Sequence, residues 1–92
     1  MKAEQIYNFD DSGHDWKFDL NNKTYFLTSP GYISDNKIYC YKSNSKETFR
    51  LIGGGMLLDN DTIKPHRVLL NLETSKHIII SGEDFEKVFL NK

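Results

Sequence analysis

The chain has 92 residues, twelve Lys/Arg against thirteen Asp/Glu for a formal net charge of −1, and a single cysteine, Cys40. That length holds one hydrophobic core, so a single domain over residues 1–92 is expected. A near-neutral chain is neither a protein that grips nucleic acid by bulk charge nor an acidic mimic of DNA. One cysteine excludes an intrachain disulfide and points to a reducing compartment.

No apolar run approaches the ~20 residues of a membrane span. The opening MKAEQIYNFDD lacks the apolar centre of a signal peptide, so a cytoplasmic location is expected. Lysine outnumbers arginine ten to two, and eight asparagines stand against one alanine. An Ala-poor chain rich in Tyr, Phe and Ile favours strands over helices. The Lys and Asn bias also fits an AT-rich coding genome, as in low-GC bacteria and their phages.

Met1 to Asp15 is the least regular stretch. Ile6, Tyr7 and Phe9 fit a short strand or one helical turn, and Asp10-Asp11-Ser12-Gly13-His14-Asp15 reads as a polar loop. Trp16 to Thr28 reads as a hairpin with Asn21-Asn22 in the turn, because asparagine tolerates positive φ. Counting from that turn pairs Leu20 with Lys23, Phe18 with Tyr25 and Trp16 with Leu27. All five apolar groups then share one face, which supports the register. Ser29-Pro30-Gly31 breaks the strand.

Tyr32 to Tyr41 reads as a second hairpin around Asp35-Asn36, pairing Ile33 with Ile38 and Tyr32 with Tyr39. Lys37 to Ile52 reads as a third, with Asn44-Ser45 as its two central residues. Lys42 then faces Glu47, Tyr41 faces Thr48, Cys40 faces Phe49, Tyr39 faces Arg50 and Ile38 faces Leu51. One face carries Ile38, Cys40, Phe49 and Leu51 and is expected to be core; the other carries Tyr39, Tyr41, Thr48 and Arg50.

The triple glycine Gly53-Gly54-Gly55 marks a bulge, a tight bend or a hinge. Asp59-Asn60-Asp61 is the next turn. Arg67 to Ile80 reads as a fourth hairpin centred on Thr74-Ser75, pairing Glu73 with Lys76, Leu72 with His77 and Leu70 with Ile79. Val68, Leu70, Leu72 and Ile79 fall on one face and Leu69, Ile78 and Ile80 on the other. Strands apolar on both faces belong in the middle of a sheet. Ser81 to Leu90 is a helix, with Ser81 as N-cap, Glu83 and Asp84 in the first turn, and Phe85, Val88 and Phe89 as its apolar stripe.

The fold class expected is all-β or β-dominated α+β. It is an antiparallel hairpin meander forming a small bent sheet or partly closed barrel, with one short C-terminal helix. In general architecture it resembles SH3-like and OB-like small barrels, a likeness that carries no function.

Catalytic constellations fail on context. The glycines are not followed by Gly-Lys-Ser/Thr or by a helix, so they make no phosphate loop. Asp59-Asn60-Asp61 lacks the glycine and glutamate of a calcium loop, having Lys64 and Leu70 there. His14, His66, His77 and Cys40 fall at no metal-ligand spacing. Cys40, on a core face, would be inert, and most serines lie in turns without a positioned histidine. No enzyme activity, cofactor or metal is therefore expected.

What remains is an aromatic face with one cation: Tyr32, Tyr39, Tyr41 and Arg50. Three readings stay open for it. Phe85 and Phe89 of the helix, or another sheet, cover it. It is a protein interface, where tyrosine and arginine are enriched. Or it stacks unpaired bases, aided by Lys37, Lys42 and Lys46. The leading expectation is a small non-enzymatic protein-binding module, a phage- or mobile-element-encoded inhibitor or adaptor acting on a host or defence protein. Its interface comprises Tyr32, Tyr39, Tyr41, Arg50 and the Gly53, Gly54, Gly55 loop, with Asp10–Asp15 as a rim. Single-stranded nucleic acid is the alternative ligand, disfavoured by the neutral charge. A subunit of a larger phage assembly is the third reading.

Overall fold

The computed structural model describes residues 3–13, 15–27, 37–59 and 61–90. Among these residues seven strands form one antiparallel sheet: β1 (Glu4–Asp10), β2 (Trp16–Leu20), β3 (Lys23–Leu27), β4 (Cys40–Lys42), β5 (Thr48–Asp59), β6 (Thr62–Asn71) and β7 (His77–Ser81). Their order across the sheet is β3-β2-β1-β7-β6-β5-β4. The sheet is bent and not closed, and β3 and β4 stand at its edges. A C-terminal helix follows β7: one α-turn, α1 (Gly82–Phe85), running into a π-helical turn over Glu86–Leu90. The fold class expected from the sequence is the one observed.

The β2–β3 hairpin forms as its turn chemistry dictates. Asn21 and Asn22 take φ of 52° and 64°, the left-handed pair of a tight hairpin turn. The register is Trp16 with Leu27, Phe18 with Tyr25 and Leu20 with Lys23. Phe18 and Leu27 are fully buried.

The next hairpin differs by one residue. Ser43 N donates to the Glu47 carbonyl at 2.9 Å and Lys46 N to the Ser43 carbonyl at 3.0 Å. Lys46 sits at φ 65°. The loop is therefore Asn44-Ser45-Lys46, three residues ending in a left-handed position. The pairs become Cys40 with Arg50, Tyr41 with Phe49 and Lys42 with Thr48. A one-residue slip exchanges the faces of a strand. Cys40 is accordingly exposed beside Arg50 and not in the core. Tyr41 lies with Phe49 on the buried side, its ring centroid 5.3 Å from Phe85 and 6.0 Å from Phe89.

The β6–β7 hairpin slips by two residues. Val68 pairs with Ile79, Leu69 with Ile78 and Leu70 with His77, so the expected pairing of Leu70 with Ile79 is corrected. An even slip keeps each residue on its face. The cause is Asn71, whose Oδ1 accepts from Glu73 N at 2.9 Å and Thr74 N at 3.2 Å. Asn71 N reaches the Lys76 carbonyl at 2.8 Å. Asn71 Nδ2 also donates to Glu47 Oε2 at 2.8 Å, tying the two loops together. Leu72 is pushed out into solvent as a loop residue.

Two cores result. The first, inside the bend, is built from Ile6, Phe18, Leu20, Leu27, Leu57, Val68 and Ile79. The second, under the helix, joins Phe49, Leu69, Ile78 and Ile80 to Phe85 and Phe89. β6 and β7 contribute to both, as strands at the centre of a sheet must. Burying a Phe or Leu side chain contributes about 1.5–3 kcal/mol. The helix begins as expected, with Ser81 Oγ accepting from Asp84 N at 3.2 Å. The Tyr32–Tyr41 hairpin around Asp35-Asn36 lies largely outside the described residues.

Candidate functional site

The triple glycine is neither loop nor hinge but part of the longest strand. The β5 register shifts once, between Leu51 and Gly53, which makes Ile52 a β-bulge. Before the bulge, Phe49 and Leu51 face the helix. After it, Gly54, Met56 and Leu58 take that side, opposite Arg67, Pro65 and Ile63 respectively. β7 stops pairing with β6 at His66. Beyond that point the β5–β6 hairpin continues as a two-stranded arm whose last pair is Asp59 with Thr62, with Asp61 at φ 63°.

The arm has unlike faces. Leu57 points into the first core and anchors it. The other face continues the helix-covered side of the sheet past the helix. There Met56, Leu58 and Ile63 are 47%, 59% and 63% exposed, and Pro65 is exposed beside them. Single exposed aliphatics are ordinary; several at cross-strand positions form a patch, which marks contact surfaces.

At the arm's base the packing is tight. A Cβ on Gly54 would stand 2.6 Å from the His66 carbonyl oxygen and 3.2 Å from Cδ and Nη1 of Arg67. The Arg67 side chain therefore lies across Gly54, and its Nη1 donates to the His66 carbonyl at 3.4 Å.

Between the arm, the β2–β3 turn and the first turn of the helix lies a cleft of about 790 Å³. Leu58 and Pro65 border both this cleft and the apolar patch. His66 lines it and is only 8% exposed. Its Nδ1 stands 3.0 Å from the Lys64 carbonyl. A carbonyl only accepts, so Nδ1 carries the proton, and the neutral ring keeps its lone pair on Nε2. Among the described residues no group of three or more His, Cys, Asp or Glu side chains is placed to hold a metal.

The residues singled out in the sequence are dispersed. Tyr41 is half-buried against the helix, while Arg50 is exposed on the opposite face. Tyr39 is half-buried, and its carbonyl accepts from Leu51 N at 2.9 Å. Gly53 is buried at the bulge, Gly54 lies under Arg67, and Gly55 pairs with His66. Tyr32 and His14 lie outside the described residues. The aromatic face of Tyr39, Tyr41 and Arg50 thus does not form as one surface, because the three-residue loop separates Tyr41 from Arg50. In the proposed rim, Ser12 N donates to Asp10 Oδ1 at 2.8 Å, and the Ser12 hydrogen bonds hold the Asp10 carboxyl below its ordinary range.

The arm's patch was not read from the sequence, yet a signal existed. A two-residue turn at Asn60-Asp61 pairs Leu58 with Ile63 and Met56 with Pro65 by counting alone. The glycines hid it, since they weaken a strand pattern. No protein-family model, no curated protein and no solved structure matches this chain.

Proposed function

We propose that the chain is a non-enzymatic protein-binding module, an adaptor or inhibitor, that engages its partner through the outer face of the β5–β6 arm. The observation that carries this reading is the register-paired exposure of Met56, Leu58 and Ile63 on a hairpin that leaves the body of the sheet. Apolar side chains on a projecting, internally hydrogen-bonded hairpin present contact area without ordering a loop on binding. The partner presents a complementary apolar surface. The reading moves the interface from Tyr41 and Arg50 to the arm.

The test compares the tagged wild-type chain with Leu58→Asp/Ile63→Asp and with Phe26→Ser, an exposed position on the edge strand β3, opposite Lys17 of β2. A partner retained after nuclease treatment by wild type and Phe26→Ser, and lost by the arm variant with unchanged circular dichroism, supports the reading. Retention by the arm variant, or loss of all capture with nuclease, overturns it.

A further inference from the structure

The cleft at the arm's base holds a polar atom without a partner. His66 is more than nine-tenths buried and its Nδ1 is committed to the Lys64 carbonyl. No buried side-chain nitrogen or oxygen among the described residues lacks a hydrogen bond. Nε2 makes none, so it is open to the cleft that His66 lines.

The remaining polar groups of the cleft sort by what they have left to offer. Ser81 Oγ donates to Asp84 Oδ2 at 3.1 Å, which leaves the other Asp84 oxygen open. Lys87 pairs with Glu83 at 3.6 Å. Glu4 lines the cleft as an unpaired carboxylate, and Lys64 as an unpaired ammonium. Asn21 and Tyr25 each add both a donor and an acceptor, which leaves the balance to the charges: the carboxylates Glu4, Glu83 and Asp84 outnumber the ammonium groups of Lys64 and Lys87. Leu57, Leu58, Pro65 and Ile79 supply apolar wall between them. Acceptors with a net negative charge above aliphatic wall suit a hydrogen-bond-donating cation on an aliphatic stem.

From this we infer that the cleft is a subsite for a lysine or arginine side chain of the partner, with His66 Nε2 as acceptor and Glu4 as the charge opposite the cation. The inference rests on the protein-binding reading for the source of that side chain. Its chemistry is tested on the isolated chain, so the two fail separately. Because Leu58 and Pro65 border both surfaces, a partner segment with a basic residue next to apolar ones fills patch and cleft together.

The probes are n-butylguanidinium and n-butylammonium, with n-butanol and butyrate as neutral and anionic comparisons. The readout is the long-range ¹H–¹⁵N correlation of the imidazoles near pH 8, where free histidine is neutral. Assignment uses His66→Gln, and Glu4→Gln provides an exposed substitution that leaves the packing intact. The cations should shift the His66 Nε2 resonance saturably with a millimolar Kd, as befits so small a ligand. Glu4→Gln should weaken the binding several-fold, and butanol and butyrate should leave Nε2 unmoved. An unmoved Nε2, an equal response to butyrate, or identical affinity in Glu4→Gln overturns the assignment.

Discussion

Gly54→Ala probes the geometry that carries the arm. No glycine among the described residues has positive φ, so alanine fits the Gly54 backbone and only space decides the outcome. The new Cβ would meet the His66 carbonyl oxygen at 2.6 Å, a backbone atom held in the β5–β6 ladder. The Arg67 side chain, at 3.2 Å, can swing aside; the carbonyl cannot without opening the hairpin. Overpacking of this kind costs about 1–3 kcal/mol. For a domain of this size that is a fall in Tm of roughly 5–20 °C. Gly13→Ala is the internal comparison, since nothing lies within 4 Å of a Cβ there. It should be neutral or stabilise by about 0.4–1 kcal/mol through the unfolded chain. Urea denaturation of both variants and of Gly54→Ala/Arg67→Ala reads the difference. If the backbone carbonyl is the obstacle, Arg67→Ala relieves little of the loss. Wild-type stability in Gly54→Ala, or full rescue by Arg67→Ala, refutes the reasoning.

Three further outcomes follow from the same geometry. Tyr41→Ala should lose about 1–3 kcal/mol in urea denaturation, because its ring packs against Phe85 and Phe89; a change below about 0.5 kcal/mol would return Tyr41 to the surface. Cys40 is exposed, so its thiol should react fully with a chromogenic disulfide in the native protein, and a slow, denaturant-dependent reaction would restore the two-residue turn. His77 stacks on Phe9 with centroids 4.3 Å apart, and desolvation holds its pKa below the ordinary value, against a weaker opposite pull from Asp11. The unfolded chain then takes up the proton first as pH falls, so this stabilisation is complete above about pH 6.5 and is lost as pH drops through the folded-state pKa. The urea midpoint should fall between pH 7.5 and 5.5 in wild type and stay flatter in His77→Phe; equal slopes would be evidence against it.

What the sequence revealed and what it concealed separate along a physical line. The β2–β3 hairpin was legible because Asn21-Asn22 names its own turn and the apolar groups agree with that register. The helix and the central place of β6 and β7 were legible because a cap, a stripe and doubly apolar strands are local patterns. The β4–β5 register was not, because a lysine in a left-handed position carries no compositional mark. The β6–β7 loop was not, because Asn71 closes it while also reaching Glu47 on another loop, a contact that belongs to tertiary structure. The candidate site depends on both kinds of concealed feature. A single bulge at Ile52 decides that Met56 and Leu58 face outward, and the cleft gathers groups from six strands and the helix.

The pairing of β1 with β7 also has a kinetic consequence. β1, β2 and β3 are joined by short connections, as are β5, β6 and β7, so each half can form from neighbours in the chain. Among the described residues, the two halves share strand hydrogen bonding only where Glu4, Gln5 and Ile6 pair with Ile79, Ile78 and His77. That seam joins the first strand of the chain to the last and closes the largest loop in the molecule, which makes it the slow, entropically demanding step of folding. Substitutions at Ile6, buried at the seam, should therefore act on the folding rate, while those on the arm leave that rate alone and act on what the finished sheet can hold.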